Sequence, residues 1–274
     1  MIRDITLGQY YLVSSKIHSL DPRVKLVCTF LYIISLFIQR NVVGYVVATL
    51  LLAVVVLMSR VPLRFILKGL KPLFLLLLIT IAFNLFLTPG EVLIFQFGFL
   101  RIYEEGLRTA VFMGVRLIYL IIGSSLMTFT TTPNSLTDAL ESLLKPLKKI
   151  RGPVHEVAMM MSIALRFIPI LLEETDKIMK AQIARGADLD SGNVFQRVRG
   201  MVPILVPLFV SAFRRANDLA LAMESRCYHG GEGRTKMNPL SYKRRDVLAY
   251  LLMFIYFVIM IGARRFDHIM VWIF

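Results

Sequence analysis

The chain has 274 residues, 57% of them hydrophobic and only 18% charged, with a mean hydropathy of +0.67. That is too apolar for an ordinary soluble domain and indicates an integral membrane protein. The 32 Lys+Arg against 18 Asp+Glu suit an anionic lipid surface or an acidic protein partner, and the hydropathy argues against nucleic acid.

Residues 1–23 read as a polar lead-in without the basic-then-apolar order of a cleaved signal peptide, so the first membrane helix is expected to act as the insertion signal. Asp21 followed by Pro22 is a helix start, an N-cap with proline at the first helical position. Apolar runs at 24–38 and 42–58, parted by Gln39-Arg40-Asn41, predict a tight hairpin of two spans. Each lies near the lower limit of the ~17–25 residues that a spanning helix needs.

Between 59 and 72 come Arg60, Arg64, Lys68 and Lys71 with no acid, which predicts a cytoplasmic loop by the positive-inside bias. A third span is expected at 73–87, ended by Thr88-Pro89-Gly90, and the acid-containing segment up to Arg108 suits the outside. The fourth span, 109–129, carries Arg116 in its outer half. This arginine either lines a functional path or snorkels to the outer interface.

From 133 to 246 basic residues outnumber acidic ones and most of the segment cannot span a bilayer, so it is expected in the cytoplasm. A fifth span, 247–261, carries the chain out. The predicted fold is all-α: a polytopic membrane protein with about five transmembrane helices and three cytoplasmic coupling helices, two of them long. The expected division is 1–132 for the lead-in and spans one to four, 133–246 for the cytoplasmic coupling-helix domain, and 247–274 for the fifth span and an external C-terminus.

Within the cytoplasmic segment, Thr132-Pro133-Asn134-Ser135 opens a short amphipathic helix with Leu136, Leu140, Leu143, Leu144 and Leu147 at helical spacing. Two long helices follow, at 154–185 and 195–227. Their apolar parts, 154–172 and 201–213, fall short as spans because the first holds Glu156 and Arg166 and the second is brief and contains Pro203 and Pro207. They are expected to be buried against the membrane domain or a membrane partner, kinked at Pro169, Pro203 and Pro207.

Each long helix finishes in a similar run, Ala181-Gln182-Ile183-Ala184-Arg185-Gly186 and Ala222-Met223-Glu224-Ser225-Arg226-Cys227. Placing Arg185 over Arg226, 41 residues apart, also places Ala181 over Ala222, Ala184 over Ser225 and Asp176 over Asn217. Small residues three apart let a partner backbone approach, and the guanidinium that follows is a planar fork suited to a carboxylate. A cation at a helix C-terminus is also favoured by the macrodipole alone, and Gly186 is a ready C-cap. Two matched runs point beyond helix capping to docking, and to a paired partner.

No Gly-x-x-x-x-Gly-Lys-Ser/Thr loop is present. His18, His155, His229 and His268 are scattered, and Cys28 and Cys227 lack metal-ligand spacing. No catalytic residue, cofactor or metal is therefore expected. Two other readings of the residues are a membrane enzyme that holds a phosphate with Arg116 or Arg166, and the permease subunit of a conventional ATP-binding-cassette importer.

Leu20-Asp21-Pro22-Arg23-Val24-Lys25-Leu26 with its Ser15 to His18 approach, Ala184-Arg185-Gly186, and Ser225-Arg226-Cys227 together resemble the transmembrane (T) component of energy-coupling factor transporters. The resemblance extends over nearly the whole chain. It implies a non-catalytic, multi-pass subunit in a prokaryotic cell membrane, whose two arginine motifs dock a pair of cytoplasmic ATP-binding-cassette ATPases of the EcfA and EcfA′ type. It also implies that movement passes to a small membrane-embedded substrate-binding (S) component, for uptake of vitamins or transition-metal cations. In the second motif serine and cysteine replace the alanine and glycine of the first, which puts a glycine-type helix exit there in question.

Overall fold

The computed structural model describes residues 10–39, 41–90, 92–97, 100–145, 154–187, 194–230 and 237–270. In chain order these form α1 (Pro22–Ile38), α2 (Val42–Ser59), α3 (Leu63–Leu70), α4 (Phe74–Leu87), β1 (Leu93–Phe97), β2 (Leu100–Tyr103), α5 (Glu104–Thr130), α6 (Pro133–Leu144), α7 (Val154–Ala184), α8 (Val194–Glu224) and α9 (Arg244–Met270). The molecule is helical as expected. An addition among the described residues is the antiparallel hairpin of β1 and β2, which lies in the segment expected only as an external connection. Two compact units result, one of residues 8–139 with 240–274 and one built on 140–239.

In the first unit α5 is the common neighbour of α1, α2, α3 and α4, while α9 packs on α1 and α2. Helix α5 runs antiparallel to α1 and to the α3–α4 run, and its glycines set the spacing. A Cβ on Gly123 would sit 2.6 Å from the Tyr32 ring of α1, and one on Gly106 would sit 3.1 Å from the Leu85 carbonyl of α4. Helices α1, α2 and α9 share a core of Tyr32, Leu36, Ala48, Met253, Tyr256 and Met260.

Polar residues close both ends of this bundle. Asp21 caps α1 by accepting from the Arg23 N–H at 2.9 Å, while its own N–H donates to Asp246 at 2.9 Å. Asp246, only 2% exposed, also accepts from the Lys243 N–H at 2.7 Å and so caps α9 from its third residue. The Lys25 ammonium donates to the carbonyl of Thr130 at the end of α5, at 2.7 Å. The Asp-Pro-Arg stretch therefore ties the starts of α1 and α9 together, and Lys25 joins them to the end of α5.

At the other end Arg116 donates to the Gln39 carbonyl at 2.9 Å and to the Tyr45 hydroxyl at 3.0 Å. Its side chain reaches the C-terminal end of α1 rather than standing free. The guanidinium satisfies a carbonyl at the C-terminus of α1 that has no helical partner, and thereby fixes the α1–α2 corner.

Among the described residues five helical runs are long and apolar enough to cross a membrane: Val42–Ser59, Leu63–Leu87, Glu104–Thr130, His155–Ala184 and Arg244–Ala263. Four of them contain the spans expected at 42–58, 73–87, 109–129 and 247–261. Helix α1 has 17 residues, at the bottom of the spanning range. Helix α7 also qualifies by length and composition, because Glu156 and Arg166 are too few to spoil its long apolar run. The basic segment expected as a loop is instead mostly helical: α3 continues through a 3-10 turn, Lys71–Leu73, into α4.

Candidate functional site

The second unit carries the two arginine motifs. Its long helices α7 and α8 have 31 residues each, about 46 Å at 1.5 Å per residue. Neither is interrupted at its prolines. They lie antiparallel, with the Arg215 guanidinium donating to the Glu174 carboxylate at 2.6 Å and the Gln182 amide donating to the Pro203 carbonyl at 3.3 Å. The second bond has a local cause. The Pro203 carbonyl would normally accept from residue 207, but Pro207 has no N–H, and Gln182 of α7 supplies the missing donor.

Because the helices are antiparallel, the two motifs sit at opposite ends of the pair. At the end of α7, the Gly186 N–H bonds to the Ile183 carbonyl at 2.9 Å and the Ala187 N–H to the Gln182 carbonyl at 3.0 Å. At the end of α8, the Cys227 N–H bonds to the Glu224 carbonyl at 2.8 Å and the Tyr228 N–H to the Met223 carbonyl at 3.0 Å. Both are Schellman exits, and they match position for position under the 41-residue shift. Arg185 and Arg226 are the corresponding C-cap residues, the last before the chain turns left-handed.

The left-handed residue is Gly186 at φ 87° in the first exit and Cys227 at φ 56° in the second. A glycine-type exit thus forms at both motifs, although the second has no glycine. Neighbouring groups tighten the Cys227 turn. The His229 Nδ1–H donates to the Cys227 carbonyl at 2.9 Å, and Ser225 donates back to the Ala222 carbonyl at 3.0 Å.

Ala181, Ala184, Arg185 and Gly186 are exposed, as are Ala222, Ser225, Arg226 and Cys227. Among the described residues, neither motif arginine has a side-chain hydrogen bond or ion pair. Each end of the helix pair therefore offers a solvated, permanently charged fork beside a strip of small side chains, geometry that accepts a carboxylate and the backbone behind it.

The second motif also borders a cavity of about 460 Å³ whose walls include Met159, Ile163, Leu219, Met223 and Tyr228. Sequence reading missed Tyr228 and the cavity. The available signal was the Schellman pattern itself, which brings the residue two past the C-cap back toward Met223. Of the methionine run 159–161, Met159 lines this cavity while Met160 and Met161 are exposed. His155 donates to Glu141 of α6 at 3.0 Å, which anchors the start of α7.

Along α8, Met201, Val202, Leu205, Val206, Phe209, Val210 and Phe213 are all exposed, Phe209 to 66%. Their spacing of three and four makes one continuous apolar stripe.

Residues 13–237 match the family described as cobalt transport protein. The chain is 54% identical over 265 residues to the energy-coupling factor transporter transmembrane protein EcfT of Clostridium kluyveri, covering 96% of this chain and 98% of that one. It is 49% identical over 263 residues to the EcfT of Bacillus subtilis, covering 93% and 99%. With such identity over nearly its full length, this membrane protein belongs to the family of energy-coupling factor transporter transmembrane proteins.

Proposed function

We propose that the chain is the non-catalytic coupling subunit of an energy-coupling factor importer, and that Arg185 and Arg226 each dock one of two cytoplasmic ATP-binding-cassette ATPases. The observation that carries this is the duplicated helix exit: two exposed arginines, each a Schellman C-cap beside small residues, at opposite ends of one antiparallel helix pair. One copy of such a pair can meet two related partners with the same device. ATP-driven approach of the ATPases would then act on the ends of α7 and α8.

The exposed apolar stripe on α8 supports a membrane-embedded partner, which on this reading is the substrate-binding S-component. Substrate choice, among vitamins or transition-metal cations, belongs to that component. The excess of cations at 59–72 and 133–246 supports a cytoplasmic placement for that end of the bundle and for the helix pair, in the cell membrane of a prokaryote.

The test is affinity purification of the whole complex from native membranes, with wild type and with Arg185→Glu/Arg226→Glu. Wild type should bring down two ATPases and small membrane proteins, and the double variant should lose the ATPases while still inserting in the membrane. Losing a partner from a desolvated charge pair costs about 3–5 kcal/mol, about two to nearly four orders of magnitude in affinity. Undiminished ATPase recovery with the double variant would refute the docking role.

A further inference from the structure

Helix α3 and the 3-10 turn that follows it hold a row of charge to which the proposed function assigns no partner. Arg64, Lys68 and Lys71 recur at intervals of four and three, so they share one face of a helix, and Arg60 precedes them at the C-cap of α2. All four are exposed, and no acid lies between 59 and 72. Among the described residues none of the four has an ion pair.

Packing fixes which way the stripe points. Ile66 is 2% exposed and packs with Val61, Leu126 and Phe129. A Cβ on Gly69 would meet the Ser125 hydroxyl at 3.2 Å. The face of α3 that holds Ile66 and Gly69 is thus committed to α5, and the cations are turned away from the bundle. Exposed Leu63 and Leu67 flank them on one side and exposed Phe65 on the other, and α4 opens just after with exposed Phe74 and Leu75.

The geometry points to a binding surface for anionic phospholipid headgroups along the outer face of α3. The apolar side chains on either side and the span that starts within a turn of Lys71 set α3 at the depth of the headgroups. Phosphates are the anions available there, and three cations in one row, without a competing carboxylate, are their complement. The surface needs only that the chain spans a membrane, and it stands independently of ATPase docking.

The test uses the full-length protein in nanodiscs of equal parts phosphatidylcholine and phosphatidylglycerol, with retained lipids counted by native mass spectrometry. Wild type should retain phosphatidylglycerol in preference to phosphatidylcholine. Arg64→Gln/Lys68→Gln/Lys71→Gln should weaken that retention by about fivefold per cation removed at low salt. Arg64→Lys/Lys68→Arg/Lys71→Arg should keep it at the wild-type level. Raising salt from about 0.1 M to about 1 M, where the screening length falls from ~10 Å to ~3 Å, should lower retention in wild type and in the charge-conserving variant but not in the glutamine variant. Equal phosphatidylglycerol retention by the glutamine variant would overturn the proposal, as would equal loss in the charge-conserving variant. If the glutamine variant keeps its phosphatidylglycerol and instead loses a protein subunit from the complex purified from native membranes, the stripe holds an acidic protein and the lipid assignment is wrong.

Discussion

Cys227 adopts a backbone conformation that only glycine takes freely, at φ 56°, and a side chain there costs about 1 kcal/mol. Cys227→Gly should therefore raise stability by about that amount, read as a shift in the denaturant midpoint in detergent. Gly186→Ala should lower it by a similar amount, since nothing lies within 4 Å of its added Cβ and backbone strain is the whole effect. A loss of stability in Cys227→Gly would mean that the thiol makes a contact worth more than the strain. A second residue-scale test concerns His18. Its Nε2–H donates to the Tyr11 carbonyl at 3.1 Å and its Nδ1 accepts from the Ser15 hydroxyl at 2.7 Å, an arrangement of the neutral ring. Burial, and then the charge of Lys25, hold it below its ordinary value of 6.5. As pH falls below about 6.5 the unfolded chain takes up this proton before the folded one does, so stability declines with acidification. His18→Gln should flatten the fall in melting temperature between about pH 7.5 and pH 5.5, and an unchanged slope would remove His18 as its source.

Among elements, α7 and α8 show how a defect in one helix becomes a contact with another. Pro207 leaves the Pro203 carbonyl without its helical donor, and Gln182 fills the place. Gln182→Leu should cost about 0.5–1.5 kcal/mol, and in a Pro207→Ala background, where residue 207 regains its N–H, it should cost almost nothing. Additive effects in this double-mutant cycle would show that the two sites are independent. For α5, Gly123→Val should destabilise by about 1–3 kcal/mol by driving a side chain into Tyr32, seen as a lower melting temperature. The same elements show what the sequence could disclose. Helix ends at Thr132-Pro133 and Asp21-Pro22 and the equivalence of the two arginine runs were legible, because caps and spacing are local. The partners of Arg116, Asp246 and Gly123 were not, since each depends on a helix far away in the chain. Composition could not rank α1 against α7 as spans, because length and apolarity are similar where a helix faces protein and where it faces lipid. Nor could it identify Cys227 as left-handed, since that follows from Schellman bonds whose usual residue is absent.

For the whole molecule, the opposed positions of Arg185 and Arg226 make the proposed docking asymmetric under single substitution. If each motif holds a different ATPase, Arg185→Glu should deplete one of the two from the purified complex and Arg226→Glu the other. The depletion should be incomplete. The ATPase that keeps its arginine tethers its neighbour through their own contact and holds it at a raised effective concentration. Quantifying both ATPases by mass spectrometry, relative to the coupling subunit and without nucleotide, gives the two ratios directly. Reciprocal skews would mean that the 41-residue duplication serves two sites of like design. Skews toward the same ATPase in both variants would instead mean that the two helix ends grip one partner jointly, and the second ATPase would then owe its place to the first rather than to this chain. Because Gly186 and Cys227 differ while their hydrogen bonds match, the two sites should also respond differently to Gly186→Ala and Cys227→Gly. Each substitution should change recovery only of the ATPase assigned to its own motif.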